Sequence, residues 1–203
     1  MKLTLMQFVS LDGVSQGPGA PDEDTSGGFE RGGWFVPFVD DAFLRLATAW
    51  TNEADAFLFG RHTYVNFARD WPKNTDPDDA VATQLNGRPK FVASQTLTAA
   101  DWEPTTILSG DVAARVAEVK QQPGRELQIH GSARLGAAML AAGLVDELRL
   151  VVAPVVVGQG RRLFPAGSEP AGLRLTSHDT TPGGLAIQVY EPAGPARFGT
   201  YGS

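Results

Sequence analysis

At four points along this chain, small, hydroxyl or charged residues stand where a β-strand pattern gives out. Ser10, Asp12 and Gly13 follow the first such run, and Gly60, Arg61 and Thr63 follow "ADAFLFG". Ser94 and Gln95 close "KFVAS", and Gly131 and Ser132 follow "ELQIH", which ends at His130. In the last case a helical pattern begins at once, with Leu135 in its first turn. In open α/β sheets, ligands sit beyond the carboxyl ends of the strands. Free amides at two helix N-termini, together with the Arg61 guanidinium, suit a ligand that carries several phosphates. Each residue also has a plain structural role open to it. Gly60 could serve only a tight turn, Arg61 could be solvated, and Thr63 and Ser132 could be helix caps. Gly131-Ser132 is not part of a G-x-G-x-x-G fingerprint, and there is no G-x-x-x-x-G-K-[ST]. Spacing alone therefore supports a phosphate-bearing ligand and goes no further.

The elements that must hold these residues are legible in outline. The run from Lys2 to Ser10 is apolar enough for a strand covered on both faces. A long stretch rich in Gly, Pro and acidic residues follows over 14–33, the composition of a disordered loop or a lid. A helix is expected from Pro37, with Asp40 and Asp41 at its positive end and Val39, Phe43, Leu46 and Trp50 as its apolar stripe. A second helix opens at Arg61; "KFVAS" and "TTIL" are strands, and a helix over 112–120 leads to "ELQIH". The helix after Ser132 closes at Gly143. "ELRLVVAPVVVG" reads as one long strand, whose Pro154 implies a bulge or an edge. A terminal hairpin turns at Pro182-Gly183-Gly184, and 192–203 look loose. Strand and helix alternate until that hairpin. This predicts a single α/β domain over 1–203, with a mostly parallel central sheet and an antiparallel edge.

Bulk properties narrow the function. The chain has 203 residues, 42% hydrophobic and 20% charged, and a net charge of -6 without any basic patch. Nucleic acid and anionic membrane are poor partners for such a surface, so a small-molecule substrate is expected. There is no cysteine, and His62, His130 and His178 lie far apart, which argues against a zinc site. No apolar run approaches the ~20 residues of a membrane span, and "MKLTLMQFVSLDG" is not a signal-peptide pattern. A cytoplasmic protein is the expectation.

"GRHTY" at Gly60 to Tyr64, "FVAS" before Gln95, and Gly131-Ser132 opening a helix resemble the dihydrofolate reductase fold. "SLDG" at Ser10 to Gly13, "AAGLVDEL" at Ala141 to Leu148 and "PVVVGQGRRLF" at Pro154 to Phe164 are closer still to one branch. They resemble the reductase domain of bacterial riboflavin biosynthesis and its free-standing relatives. The resemblance implies a dihydrofolate reductase-like three-layer fold and NADPH as hydride donor. It would put Arg61 and Ser94 at the adenosine 2′-phosphate with Gln95 nearby, and Thr63 with the Gly131 and Ser132 amides at the pyrophosphate. Gly60 and Leu135 would complete the cofactor site, and Ser10, Asp12 and Gly13 would meet the substrate. Asp12 and Asp41 are the expected catalytic acids, with Asp40 beside them. An Asp-Gly turn would account for Asp12 equally, and the helix dipole for Asp40 and Asp41. Arg31, Arg161 and Arg162 are available to a phosphorylated substrate.

The closest named activity is reduction of 5-amino-6-(5-phosphoribosylamino)uracil, with dihydrofolate or another small heterocycle or carbonyl as further acceptors. Two departures bear on this. His130 stands where the family commonly has the first of a glycine pair. The zinc deaminase domain of the bifunctional enzyme, with its P-C-x-x-C element, has no counterpart in a chain without cysteine. A scaffold that binds the nucleotide without turnover, and a purely structural homodimer, are the competing expectations. A homodimer is implied in any case, and the stretch Leu150 to Val157 with Phe198 and Tyr201 could make its contact.

Overall fold

The first strand, β1 (Lys2–Ser10), is buried along most of its length because it is a central strand, paired on both sides. The computed structural model of the chain describes residues 1–202. After β1 come α1 (Asp41–Glu53), β2 (Ala54–Gly60), α2 (Arg61–Asp70), α3 (Ala80–Gly87), β3 (Lys90–Ala93) and β4 (Thr105–Leu108). Then follow α4 (Val112–Lys120), β5 (Glu126–His130), α5 (Ala133–Ala141), β6 (Glu147–Ala153) and the hairpin β7 (Leu173–Thr180) and β8 (Ala186–Pro192). One eight-stranded sheet runs β4-β3-β2-β5-β1-β6-β8-β7. It is parallel from β4 through β6 and antiparallel where β8 meets β6 and β7. That is the predicted α/β fold.

Alternation along the strands sorts the core onto two faces. Leu3, Leu5, Leu58, Leu127 and Ile129 pack with Val116 and Val119 of α4 and Met139 of α5. On the opposite face, Met6 and Val151 meet Phe43 and Trp50 of α1, while Phe57 and Phe59 meet Tyr64 of α2 and Leu85 of α3. Helices thus cover both sides of the sheet, in three layers. Apolar burial at roughly 25 cal/mol per Å² is the main force holding them there.

Several expectations are corrected. The first helix begins at Asp41 rather than Pro37: Val36–Phe38 form a short 3-10 turn, and extended Asp40 caps α1 by accepting from the Phe43 amide at 2.8 Å. The long strand stops at Ala153. Past Pro154 the chain leaves the sheet, and the Val155 carbonyl accepts from the Leu11 amide, so Leu150 to Val157 is not one strand. The helix α3 has no counterpart in the sequence reading; it is only 8 residues long and buries just Ala82 and Leu85.

Residues 14–33, expected to be a disordered loop or a lid, form a strap tied to the rest of the chain by hydrogen bonds. Gln16 holds it from inside: its amide nitrogen donates to the carbonyls of Asp24 and Ser26, and its oxygen accepts from the Arg161 amide at 3.0 Å. The Trp34 indole donates to the Gln16 carbonyl at 2.8 Å, Arg161 pairs with Asp24, and Phe29 is 2% exposed.

One face of β5 is polar at every second residue. Glu126 accepts from the buried Arg149 at 2.8 Å, and Arg149 also holds Glu147 and Glu53. Gln128 bonds Glu126 at 2.7 Å and the Trp50 carbonyl at 2.6 Å, and His130 ends the row. Paired in this way, buried charge is tolerated; removing one partner would strand the rest.

The approach of α5 to β1 depends on Gly136, where an added Cβ would lie 2.6 Å from Leu5 Cδ1. Leu5 is fully buried, so the clash has little room to relax. Gly136→Val is expected to cost about 3 kcal/mol, the upper part of the overpacking range. Chemical denaturation would read this as a lower midpoint with an unchanged slope.

Candidate active site

Two strand-to-helix hinges meet at the carboxyl end of the sheet. The β2 strand enters α2 at Gly60, and β5 enters α5 through Gly131 and Ser132. Ser132 Oγ accepts from the Gly60 amide at 2.8 Å and donates to Thr63 Oγ1 at 2.7 Å. Ser132 is the one non-glycine with positive φ among the described residues, at φ 57 and ψ 54. That conformation costs about 1–3 kcal/mol and persists because its surroundings fix it. A Cβ on Gly60 would lie 3.2 Å from the same hydroxyl, which accounts for glycine there.

The hinges differ from the other helix starts. Helices α1, α3 and α4 are capped by the carboxylates of Asp40, Asp79 and Asp111. Neither α2 nor α5 has a side-chain cap, because the Thr63 and Ser132 hydroxyls bond each other's hinge instead. Their first amides are left without side-chain acceptors, at the positive ends of two helices.

These hinges border a cavity of about 870 Å³. Met6, Phe8, Phe35, Phe67 and Trp71 give it an apolar wall, and the strap from Ser15 onward closes one side. The Asn66 amide donates to the Glu23 carbonyl at 2.6 Å, tying the strap to α2. Gly60, Arg61, Thr63, Gly131, Ser132 and Leu135, all named from the sequence, line the cavity. Among the described residues, the Arg61 guanidinium bonds only the His62 ring, at 3.0 Å. Arg134 also lines the cavity, and no described residue bonds its guanidinium. The sequence gives one signal for it, its place in the first turn of a helix that follows an uncapped hinge.

Other expected site residues lie elsewhere. The Ser94 hydroxyl accepts from the Thr96 and Leu97 amides and closes its own turn. Gln95 bonds Gly110 through both amide atoms. Neither lines the cavity, and nor do Ser10, Asp12 or Gly13. Asp12 is a fastener. It accepts from the Ser10 hydroxyl at 2.7 Å and from the Val157 and Gly158 amides at 2.9 Å, with Arg162 at 3.5 Å. The Ser10 bond, followed by the Val157 amide, holds its carboxyl far below the usual carboxylate range, which favours the ionised form. Asp41 is exposed at the start of α1, outside the cavity. Asp40 is held low by the Phe43 amide and also accepts from the Gly183 amide at 2.5 Å.

The carboxyls that do line the cavity are Glu23, Asp24 and Asp70. Asp70 pairs with Arg69. For Asp24, burial opposes ionisation, but bonds from Ser26 and Arg161 outweigh it and hold the group low. Glu23 bonds the Gly19 amide at 2.5 Å without an ion pair, and burial raises its carboxyl. It sits in the unpatterned acidic run of the strap, where the sequence gives no reason to choose it. The lining joins the hinge residues with Arg61 and Arg134 to the apolar side chains of Met6, Phe8, Phe35, Phe67 and Trp71. A ligand with a phosphate-bearing part and a flat part matches that lining.

Solved structures with the same fold include Acinetobacter baumannii RibD, at a TM-score of 0.62 and 17% identity, covering 95% of this chain and 58% of that one. Another is dihydrofolate reductase from Enterococcus faecalis in complex with NADP(H), at a TM-score of 0.60 and 12% identity, covering 95% and 96%. The Bacillus subtilis (strain 168) protein YyaP is 28% identical over 191 residues, 93% of this chain and 94% of that protein. The sequence profile of the RibD C-terminal domain matches residues 1–187. With that match spanning nearly all of the sheet and both hinges, the chain belongs to the RibD C-terminal domain family.

Proposed function

We propose that the protein is an NADPH-dependent reductase of a small heterocyclic substrate, with 5-amino-6-(5-phosphoribosylamino)uracil reduction as the closest named activity. The observation that carries this is the pair of uncapped helix starts at one cavity edge, flanked by Arg61 and Arg134. The Gly131 amide is taken by the Met6 carbonyl at 3.3 Å, so the Ser132 amide, the first amides of α5 and the Thr63 region would take the pyrophosphate, and the Arg61 guanidinium the extra 2′-phosphate. The solved Enterococcus faecalis relative with NADP(H) supports the cofactor by fold. When bound, such a nucleotide supplies a hydride. The chain's own part is to orient the ligand along the cavity, exclude water with the strap, and hold a proton source near the acceptor. Glu23 is the best-placed carboxyl for that last part, since burial favours its protonated form.

The reading extends to a cytoplasmic homodimer. The outer strand β7 is exposed along nearly its whole length, and sedimentation would read the pairing. A second reading is a scaffold that binds the nucleotide without turnover. It is favoured by one fact, that Asp12 and Asp41 both lie off the cavity. NADPH oxidation with pyrimidine, pterin and small carbonyl acceptors separates the two; binding without consumption by any of them would favour the scaffold.

The first measurement is melting with NADPH and NADH in parallel. Saturation at about 100 times the dissociation constant stabilises by about 2.7 kcal/mol, so binding is readily seen. Arg61→Ala is expected to weaken NADPH about tenfold or more, as for loss of a charge-assisted bond, with a much smaller effect on NADH. Equal losses for both nucleotides would remove Arg61 from the 2′-phosphate.

Asp12→Asn should leave NADPH affinity within about twofold yet lower stability by about 1–3 kcal/mol, the worth of a charge-assisted hydrogen-bond clamp. The folded carboxyl titrates below its unfolded value, so this difference is full above about pH 4 and shrinks as pH falls toward the folded value. A loss of NADPH binding in a well-folded Asp12→Asn protein would restore Asp12 to the site.

A further inference from the structure

His130 lines the cavity directly before the Gly131-Ser132 hinge. Its ring is fixed on one side by an edge-to-face contact with Phe57, at 5.2 Å and 87°. On another side its Nε2 lies 2.8 Å from the amide oxygen of Gln128. The hydrogen-bond arrangement around Gln128 determines which imidazole nitrogen carries the proton. The amide nitrogen of Gln128 lies 2.6 Å from the Trp50 carbonyl and 2.7 Å from a Glu126 carboxylate oxygen. Both of those are acceptors, so that atom must be nitrogen, and the atom facing His130 must be oxygen. The imidazole therefore donates from Nε2. Burial, and next the charge of Arg149, push its pKa down to about 4, so the ring is neutral near pH 7. Nδ1 is left as a bare lone pair. No described residue donates to it, and it is not among the fully buried unpaired side-chain atoms.

A lone pair held beside free helix amides sorts ligand atoms. The amides take anionic oxygens. Nδ1 repels them and takes a neutral donor. In a nucleotide, the donors nearest the phosphates are the ribose hydroxyls. We infer that His130 Nδ1 accepts a hydrogen bond from a ribose hydroxyl of the nucleotide bound at the Gly131-Ser132 hinge, making His130 a selector for nucleotides over bare phosphates. The inference rests on the cofactor site proposed above and adds a contact that a glycine at this position could not make. Gln128 is its positioning residue, since it sets the tautomer without itself lining the cavity.

The test is NADPH binding by wild type and His130→Gln, with nitrogen NMR of the imidazole. Glutamine keeps an amide donor near the Nε2 position for Gln128 and has no acceptor at the Nδ1 position. The expected result is a loss of NADPH affinity of about 3- to 10-fold, the worth of one hydrogen bond, with the ligand-free melting temperature nearly unchanged. In wild type, the Nδ1 resonance should be of the unprotonated type and move upfield on NADPH addition. That second reading holds even if the variant folds poorly. Wild-type binding with an unmoved Nδ1 resonance, or equal affinity in a folded His130→Gln protein, overturns this contact and leaves the cofactor site standing. Absence of NADPH binding by the wild type overturns both.

Discussion

A single hydroxyl sets the geometry on which the cavity depends. Ser132 Oγ bridges two hinges 72 residues apart, accepting from Gly60 and donating to Thr63. Because β2 and β5 are neighbours in the sheet, that bridge brings both helix starts to the same edge at the same height. The topology explains why the meeting falls there. Helices α1, α2 and α3 cover one face of the sheet and α4 and α5 the other. The change of face comes at β5, so α2 and α5 lie on opposite sides of the crevice beyond the strand ends. Without a brace, two positive helix ends would repel; with it, they converge and await a counter-charge. The left-handed backbone of Ser132 is the strain this arrangement carries.

Behind the hinge lies the polar row of β5, which explains how a histidine can stand where glycine would be simpler. Glu126, Gln128 and His130 share one face of the strand, and each is bonded to the next. The row begins at the ion pairs of Arg149 and ends at the cavity. A neutral core of similar shape would be at least as stable. What the row provides is orientation: the Gln128 amide nitrogen is committed to Trp50 and Glu126, so its oxygen faces the last ring and sets one tautomer. At the far end, Arg149 Nη1 has no hydrogen-bond partner among the described residues. Lys90 shows the same economy away from the site. Its buried ammonium closes the end of α3 by donating to the carbonyls of Leu85, Asn86 and Arg88.

Much of this was legible in the residues, and the failures share a cause. The elements Val112–Lys120 and Glu126–His130 follow from alternation and periodicity, and the structure places them at those bounds. The hinge residues Gly60, Arg61, Thr63, Gly131 and Ser132 were equally plain, because they sit where strand pattern turns to helix pattern. Ser94, Gln95 and Asp12 occupy strand ends too, yet Ser94 closes its own turn, Gln95 bonds Gly110 beyond β4, and Asp12 fastens the 154–158 segment. Position along the chain does not reveal which acceptor a hydroxyl or carboxylate has already met. Only a full count of donors and acceptors in three dimensions does so. The strap was illegible for the converse reason: its order comes from Gln16 and Arg161, 145 residues apart, and not from any local pattern.

The cavity is therefore made in two ways, and this bears on how far family membership reaches. Its hinge half is dictated by the sheet, so any chain with this topology and small hinge residues builds it again. That half fits the shared fold with RibD and dihydrofolate reductase at 17% and 12% identity. The other half is the strap, held to the sheet edge by Gln16 and Arg161 and to α2 by the Asn66 bond to Glu23. No strand register constrains its length or composition. The strap lines the cavity from Ser15 to Gly27. Topology thus fixes where the hinges meet and leaves the strap free to vary, and His130 at the hinge and Glu23 on the strap both line the cavity.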